Sequence, residues 1–485
     1  MGIALSLAGI AAAQKIDIKW DAVQRVSKTT PTLQVVVNPP LRQGTAIHDR
    51  VFAELKSLGA DYVRYVPWLP YPKLGIAELD PPTANKTSWD FSLIDPMTID
   101  FLKATEGHPV ILDFSTVPAW MFKTPKPVQY PQDPNAVTWT YTQGTDLVDP
   151  TGKELGDYYA RLVSRYVNGG FTDELGKQHK SGYRFNIPYW EVLNEIDFEH
   201  NMTPEQYTAR YDAIVSAIRK VAPQMKFVGL AYGTPSQHPE MFEYFLNAGN
   251  HRTGIPVDMI SYHFYAVPEP DETPEIEEHT FFTEADGFIN TVRYIEAIRN
   301  RLAPRTGTAV DEIGCISADD LAQDNPGRLS APIPNAYWNL CGAVYAYVFG
   351  HLATLGIDIA GESQLVGYPT QFPSVSMIDW NTGEPNARFR VLQLLKNHFA
   401  PGDRIVSTST DSPQLYVLAF IGRRGDHKVL LVNKRNKDIR AGLPGRVREV
   451  GVVDQTTSGG SRPNKAAGSN EVLLHGYAVA VATLE

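Results

Sequence analysis

The chain has 485 residues, with 44 Lys and Arg residues against 54 Asp and Glu residues, so its formal net charge is −10. This acidic balance argues against a protein that binds nucleic-acid phosphates, because such proteins present a basic face. Hydrophobic residues make up 43% and charged residues 20% of the chain, which argues against extended disorder. Cys315 and Cys341 are too few for a disulfide scaffold. We expect both thiols to be free and buried, with a disulfide between them as the alternative.

The N-terminal segment Met1–Gln14 is apolar and contains three consecutive alanines before Gln14. An apolar run that ends in small residues is typical of a secretory signal peptide, and cleavage after Ala13 fits this pattern, although no Lys or Arg precedes the run. We therefore expect residues 1–13 to be a signal-peptide remnant and the protein to be secreted or periplasmic.

Eight short runs of β-branched and aromatic residues recur through the central part of the chain. Most are nearly continuous in apolar residues, as expected for parallel strands that are buried on both faces. The runs are Leu33–Asn38, Ala60–Val66, Pro109–Phe114, Pro188–Leu193, Lys226–Ala231, Asp258–Phe264, Thr308–Glu312 and Ile357–Gly361.

Helical patterns alternate with these runs. The clearest is Thr203–Ala222, where Thr203 can cap the helix, Pro204 fits the first position and Gln206 completes a capping box. Similar apolar faces occur in Ile47–Leu58, Leu155–Val167, Gly287–Leu302 and Asn386–Phe399. The alternation predicts an α/β fold, a (β/α)8 TIM barrel over residues 30–400. No glycine-rich nucleotide-binding motif follows any predicted strand.

The stretch Leu329–Ile357 contains no Asp, Glu, Lys or Arg. It does contain Pro332, Pro334 and two asparagines, which an isolated lipid-facing helix tolerates poorly. We therefore expect a buried barrel helix that runs into a buried strand, and no contact with a membrane.

Hairpin signals replace helical ones after Pro401. Leu415–Phe420 and Lys428–Asn433 are rich in β-forming residues and flank a turn, and Tyr477–Leu484 forms a last strand. Ile16, Ile18 and Trp20 alternate and can add a strand from the N-terminal side. These patterns predict a small accessory antiparallel β-sandwich domain built from residues 14–29 and 401–485.

Polar residues stand at or near the ends of four of the predicted barrel strands. Because the carboxyl ends of barrel strands meet at one mouth, where catalytic groups lie, we expect these side chains to converge. They are Arg64 on the second strand, Asn194 and Glu195 after the fourth, His263 and Tyr265 on the sixth, and Glu312 on the seventh.

Two carboxyl groups at one mouth are what cleavage of a glycosidic bond requires. One needs a raised pKa to protonate the leaving oxygen, and the other must be ionised to attack the anomeric carbon. At a separation of about 5–5.5 Å between Glu195 and Glu312, the reaction would retain anomeric configuration. Arg64 and Tyr265 are expected to keep Glu312 ionised, and Asn194 to bind the sugar 2-hydroxyl.

Other residues near these positions have weaker signals. Asp311 is expected to face the opposite side of its strand, since side chains alternate. Trp68, Trp120 and Trp380 can stack on sugar rings but are equally compatible with a core position. The sequence shows no His/Cys cluster at ligand spacing, so we expect neither a metal nor an organic cofactor.

Five motifs resemble those of a known family. Trp190–Glu195 resembles the strand-four signature of clan A glycoside hydrolases, Val310–Gly314 their strand-seven motif, and Tyr262–Tyr265 their strand-six His-x-Tyr. Within the clan, Trp89–Ser92 and Pro118–Met121 are most similar to glycoside hydrolase family 39, which includes β-xylosidases and α-L-iduronidases. The resemblance extends from about Leu33 to the C-terminus.

The resemblance implies a barrel with a β-sandwich, with Glu195 as acid/base and Glu312 as nucleophile. The chain departs from the family pattern after the Asn-Glu pair, where Ile196 and Asp197 replace the usual Pro. This departure adds a carboxylate near the mouth and puts the usual substrate specificity in question.

We therefore expect a retaining glycoside hydrolase that acts on oligo- or polysaccharides and is β-xylosidase-like. A uronidase, an arabinosidase, a β-glucosidase and a non-catalytic carbohydrate-binding barrel are the alternatives, and a metal-dependent hydrolase would need more histidines at strand ends. The long segments Leu69–Ser88 and Pro125–Gly144 are expected to wall the pocket. The sequence does not predict exo or endo action, or oligomeric state.

Overall fold

A computed structural model of the protein describes residues 13–139, 144–269, 271–321, 332–457, 462–464 and 469–485. The predicted signal segment lies almost wholly outside the described residues. The chain divides into two compact units, of which one comprises Thr29–Ile333 and Ile357–Pro385. The other comprises Met1–Lys28, Pro334–Gly356 and Asn386–Glu485.

The described strands, numbered in chain order, have the following limits. They are β1 (Gln14–Val26), β2 (Thr30–Val36), β3 (Val63–Val66), β4 (Val110–Leu112), β5 (Gly170–Thr172), β6 (Gln178–Lys180), β7 (Tyr189–Val192), β8 (Lys226–Tyr232), β9 (Met259–Ala266), β10 (Gly307–Cys315), β11 (Ile359–Glu362), β12 (Arg404–Thr410), β13 (Leu415–Ile421), β14 (His427–Asn433), β15 (Ile439–Gly442), β16 (Val447–Val453), β17 (Arg462–Asn464), β18 (Glu471–Leu474) and β19 (Val479–Leu484).

The described α-helices follow the same numbering. They are α1 (His48–Leu58), α2 (Asp95–Ala104), α3 (Lys153–Val167), α4 (Pro204–Val221), α5 (Glu240–Phe245), α6 (Pro274–Leu302), α7 (Ala318–Leu321), α8 (Asn335–Leu355) and α9 (Ala387–His398).

Eight parallel strands close into a barrel in the first unit, in the order β10, β11, β2, β3, β4, β7, β8, β9. Each corresponds to one of the eight predicted strands, so the predicted TIM barrel is confirmed. The strands read as apolar because both faces are covered: all residues of β3 and β11 are buried. Helix α4 begins as predicted, since the Thr203 side chain accepts from the Gln206 amide and the Gln206 side chain accepts from Thr203.

Nine strands form a sheet in the second unit, in the order β17, β16, β19, β14, β13, β12, β1, β15, β18. Its pairings are antiparallel except for β1 with β15, and β1 supplies the predicted N-terminal strand. Apolar side chains from many strands form one core, including Ile16, Ile18, Leu415, Val417, Val429, Leu431, Val450, Val452, Val472, Leu474, Ala480 and Ala482. The predicted accessory β-domain is thereby confirmed.

Helices α8 and α9 belong to the sheet unit, although the predicted limits of the barrel include both. In α8, the Tyr347 ring lies 4.9 Å from the ring of Tyr416 in β13. Among the described helices, none combines the length and apolar character needed to cross a membrane. Cys341 in α8 and Cys315 in β10 are both buried.

Candidate active site

A cavity of about 820 Å³ opens at the carboxyl ends of the barrel strands. Its wall includes six residues that were predicted for the site: Trp68, Asn194, Glu195, His263, Tyr265 and Glu312. The barrel topology brings them together because each follows or ends a strand at the same rim.

Arg64 lies beneath the cavity, with only 1% of its surface exposed. Its guanidinium donates to Glu312 Oε1 at 2.6 Å, to Asp113 Oδ2 at 2.8 Å and also to a carboxylate oxygen of Glu191. It donates further to the Asn194 side-chain oxygen at 2.7 Å. A single buried cation therefore holds side chains that lie in or directly after strands β4, β7 and β10.

Asp311 faces the same interior, which the sequence-based expectation had wrong. The pairing of β10 with β9 passes from Val310 opposite Tyr262 to Glu312 opposite His263, so Asp311 is an extra residue. Such a β-bulge breaks the alternation of side chains. As a result, Asp311 Oδ2 lies 3.3 Å from Arg64 Nε, beside Glu312.

The surroundings of Glu312 favour its carboxylate form. Tyr265 donates to its Oε2 at 2.5 Å, and Arg64 donates to its Oε1. Burial by itself disfavours the ionised form, but the charges of His263 and Arg64, with these hydrogen bonds, lower the pKa of Glu312 below its usual value. The prediction that Arg64 and Tyr265 contact this carboxylate agrees with the geometry.

Glu195 has the opposite environment. Burial raises the pKa of Glu195 above its usual value, and a hydrogen bond from His263 offsets only part of this rise. His263 Nδ1 lies 3.0 Å from Glu195 Oε1. Glu195 is therefore the carboxyl group of this pair that favours its protonated form.

The backbone at the end of β7 is strained where it presents Glu195. Leu193 and Glu195 have φ values of 64° and 38°, in a region that non-glycine residues seldom occupy. On the neighbouring strand, Leu230 and Ala231 also have positive φ, and the Glu195 amide donates to the Ala231 carbonyl at 2.9 Å. Paired irregularities on β7 and β8 thus aim the glutamate into the cavity.

Glu195, His263 and Glu312 each offer a polar atom, and these three atoms lie within 4.8 Å of one another. This spacing would allow the three residues to hold a cation. However, although burial disfavours its charge, the nearby carboxylates of Glu312, Glu195 and Asp311 raise the pKa of His263 to about 9. A protonated imidazole cannot ligate a metal, so a proton competes with a metal at this position.

Two further carboxyl groups surround Arg64 without matching cations. Burial raises the pKa values of Asp113 and Asp311 well above the usual range. Both groups therefore favour the protonated form more strongly than Glu312 does, so the Arg64 charge acts mainly on Glu312. Neither residue was predicted for the site.

Asn194 is fixed at both ends of its amide. Its oxygen accepts from Arg64, and its nitrogen donates to Glu199 Oε1 at 2.9 Å. Trp68 donates to the same Glu199 oxygen at 2.8 Å. Burial raises the pKa of Glu199 well above its usual value, which favours the neutral acid, and its Oε1 orients Asn194 and Trp68.

The aromatic predictions have different outcomes. Trp68 lines the cavity together with Trp139 and Phe372, and the rings of Trp68 and Trp139 lie 5.4 Å apart. Trp120 instead donates to a backbone carbonyl in the β3–α2 segment, and neither Trp120 nor Trp380 lines the cavity.

The two long segments that were expected to wall the pocket also differ. Pro125–Gly144 contributes Trp139 to the cavity, whereas none of the described cavity-lining residues comes from Leu69–Ser88.

Asp197 takes up a structural position in the loop after β7. Its carboxylate accepts from the backbone amides of Gly233 and Thr234, at 3.1 and 2.8 Å, and from the Thr234 hydroxyl at 2.7 Å. The carboxylate that the Ile196-Asp197 departure adds therefore holds the loop after β8, whose residues 233–237 line the cavity.

Sequence reasoning missed Gln34, Asp113 and Glu191, although a signal was present. Each interrupts a run of apolar residues inside a predicted strand, and each is fully buried in the structure. A polar residue in such a strand is rare unless it has a partner. Ser363 and Phe372 had no comparable signal, since they lie in irregular segments after β11.

A closed parallel barrel with two glutamates in opposite environments at its mouth is the arrangement of a glycoside hydrolase. The model of glycosyl hydrolases family 39 matches residues 18–305, more than half of the chain. The chain belongs to this family and is a glycosidase, as the motifs predicted. No curated protein sequence matches the chain.

Solved structures of clan A glycosidases share the fold. A family 51 arabinofuranosidase from Xanthomonas axonopodis pv. citri is 14% identical, with a TM-score of 0.66 over 98% of this chain and 100% of the other. The catalytic domain of family 30 xylanase C from Talaromyces cellulolyticus is 12% identical, with a TM-score of 0.62 over 97% and 100%. A family 51 α-L-arabinofuranosidase from Bifidobacterium longum is 14% identical, with a TM-score of 0.64 over 97% and 99%.

Proposed function

We propose that the protein is a retaining glycosidase in which Glu195 is the general acid/base and Glu312 the nucleophile. The observation that carries this proposal is the contrast between the two groups: the pKa of Glu195 is raised by burial, whereas cations and hydrogen bonds outweigh burial and lower the pKa of Glu312. Their oxygens approach within 4.8 Å, which fits the short separation of retaining enzymes rather than the wider gap that an inverting enzyme needs for water.

The geometry supports a double displacement. In the first step, a Glu312 oxygen forms a bond to the anomeric carbon while the bond to the leaving oxygen breaks, and that oxygen takes the Glu195 proton. In the second step, the Glu195 carboxylate accepts a proton from water as the water oxygen attacks the anomeric carbon, which releases Glu312.

Asn194 is proposed to act on the sugar rather than on the reacting bond. Its amide oxygen and one amide hydrogen are already engaged by Arg64 and Glu199. The second amide hydrogen can donate to the sugar 2-hydroxyl, an interaction that strengthens in the transition state.

A β-xyloside is the proposed substrate, and the solved relatives that are named xylanases and arabinofuranosidases support a pentoside. An α-L-arabinofuranoside is the second candidate, since two of these structures are arabinofuranosidases. A uronide has less support, because none of the described cavity-lining residues is a Lys or Arg that would pair with its carboxylate. The apolar N-terminal segment supports action outside the cytoplasm.

A panel of aryl glycosides tests this function, with β-xylose, α-L-arabinofuranose, β-glucose and glucuronic acid as the sugars. We expect the highest kcat/KM on the xyloside, and a fall of about 10²–10⁴-fold in Glu195→Gln and Glu312→Ala. Glu449→Gln removes an exposed carboxylate of the sheet unit and serves as the matched control.

Azide rescue separates the two roles. Azide should restore Glu312→Ala by attack from the vacated side and give the α-glycosyl azide. In Glu195→Gln with an activated aryl leaving group, it should attack the glycosyl-enzyme and give the β-glycosyl azide. Full activity of Glu312→Ala without azide would contradict the nucleophile assignment.

A further inference from the structure

The leaving group of a glycosidase must lie next to the general acid, because the acid donates its proton to the leaving oxygen. This inference rests on the proposed role of Glu195. The chain turns back directly after that residue, and the amides of Phe198 and Glu199 both donate to the Glu195 carbonyl. Phe198, which lies in this turn and lines the cavity, therefore borders the leaving-group side.

Phe198 is the most exposed large apolar side chain of the described residues, at 59%, and it lines the cavity. An isolated exposed apolar residue is ordinary on a protein surface. Inside the wall of a catalytic cavity, however, an open aromatic ring is a platform that a ring-shaped ligand can cover.

The ring of Phe198 lies directly against Gly233. A Cβ atom added to Gly233 would lie 2.5 Å from Phe198 Cε2 and 3.2 Å from Glu195 Oε1, so a side chain at this position would displace the ring or the acid. Asp197 fixes Gly233 in turn through the amide hydrogen bonds of its carboxylate. The platform and the general acid thus flank the same point of a fixed loop.

Polar side chains stand beside this platform. The loop after Gly233 contributes three of them to the cavity wall: Thr234, Ser236 and Gln237. Ser236 and Gln237 are exposed. A ligand that covers Phe198 would therefore meet an apolar surface on its face and hydrogen-bonding groups at its rim. A sugar ring has this character, since its C–H groups form an apolar face and its hydroxyls a polar edge.

We infer that Phe198 and the loop 233–237, anchored by Asp197, form a leaving-group subsite that binds a second sugar residue. The natural substrate is then an oligosaccharide rather than a glycoside of a small alcohol. By reversal of the first step, the same subsite accepts a sugar as acceptor, so that a sugar hydroxyl attacks the glycosyl-enzyme, Glu195 takes its proton and Glu312 leaves.

Reactivation of a trapped glycosyl-enzyme tests the subsite apart from the first step. The enzyme is labelled with a 2-deoxy-2-fluoroxylosyl fluoride, freed of excess reagent, and allowed to recover activity in buffer alone, with methyl β-xyloside or with benzyl alcohol. We expect the xyloside to accelerate recovery of the wild type. Phe198→Ala should lower that acceleration about 3- to 10-fold when it is expressed relative to the recovery of the same variant in buffer alone.

Three further variants keep the test specific. Gln237→Ala should also weaken the effect of the xyloside, Phe198→Tyr should preserve it, and Tyr294→Ala, which removes an exposed aromatic ring of α6, should match the wild type. Equal acceleration in the wild type and Phe198→Ala would overturn the subsite. Acceleration by benzyl alcohol alone would overturn the sugar as its occupant. A failure of the fluorinated sugar to label Glu312 would instead count against the proposed function.

Discussion

At the scale of single residues, one guanidinium and one imidazole determine which carboxyl group of the site is ionised. Arg64 contacts Glu312, and His263 lies between Glu312 and Glu195, with its Nε2 3.5 Å from Glu312 Oε1. The cations compensate for burial at Glu312, but only partly at Glu195. Since His263 acts on both glutamates, the difference in pKa follows from Arg64 and Tyr265, which contact Glu312.

Replacing His263 by Asn should move both limbs of the pH profile of kcat/KM to higher pH. The His263 charge opposes the effect of burial at both glutamates, so its removal raises the pKa of each. Activity is lost below the pKa of Glu312, which must be ionised, and above the pKa of Glu195, which must be protonated. Limbs that stay in place, or that move apart, would contradict this electrostatic account. His238→Asn, at an exposed position, is the control.

Replacing Asp311 by Asn should have little effect on catalysis. Because burial raises the pKa of Asp311 well above its usual value, the side chain favours its uncharged form, and an amide of the same shape resembles that form. We expect kcat/KM to change by less than about threefold, without a shift of the acid limb. A large loss, with the acid limb moved to lower pH, would show that Asp311 is ionised in the native protein.

At the scale of elements, the irregular positions of the strands determine what reaches the cavity. The bulge at Asp311 turns two consecutive carboxyl groups of β10 inward. Positive φ values at the end of β7 direct the Glu195 side chain into the cavity. Regular periodicity cannot predict such positions, because a bulge adds a residue without changing the apolar pattern around it. This is the reason that Asp311 was assigned to the wrong face.

The loop after β8 should depend on Asp197. Asn in place of Asp197 would turn an amide NH₂ toward backbone donors and remove the negative charge that now accepts from Gly233 and Thr234. We expect the free energy of unfolding to fall by about 1–2 kcal/mol, which urea denaturation measures. An unchanged unfolding midpoint and slope would contradict this anchoring role.

The segment between β3 and α2 should make stability depend on pH through Glu78. Burial and the nearby Glu174 charge raise the pKa of Glu78 to about 8. Since the folded pKa lies above the unfolded one, the native state binds the proton more tightly, and this contribution is complete at acidic pH and lost as pH rises toward 8 and beyond. Glu78→Gln should therefore stabilise the protein at pH 8.5 by on the order of 1 kcal/mol and have less effect at pH 5. Equal effects at both pH values in denaturant titrations would contradict this assignment.

At the scale of the whole molecule, the barrel could be predicted from sequence because its strands bury both faces and so read as apolar runs at regular intervals. Polar residues at the ends of those runs, such as Glu195 and Glu312, then converge by topology alone. The grouping of α8 and α9 with the sheet was not predictable, since an apolar helix face does not specify the surface that it packs against. Aromatic residues had the same ambiguity, and only Trp68 of the three candidates lines the cavity.

The central claim is that Glu195 and Glu312 act by double displacement. The most direct measurement is proton NMR of the first sugar released from an aryl β-xyloside, recorded before mutarotation. Because the carboxylate oxygens approach within 4.8 Å, we expect the β-anomer to form first, with retention of configuration. Initial release of the α-anomer would show direct attack by water and contradict the covalent intermediate on Glu312.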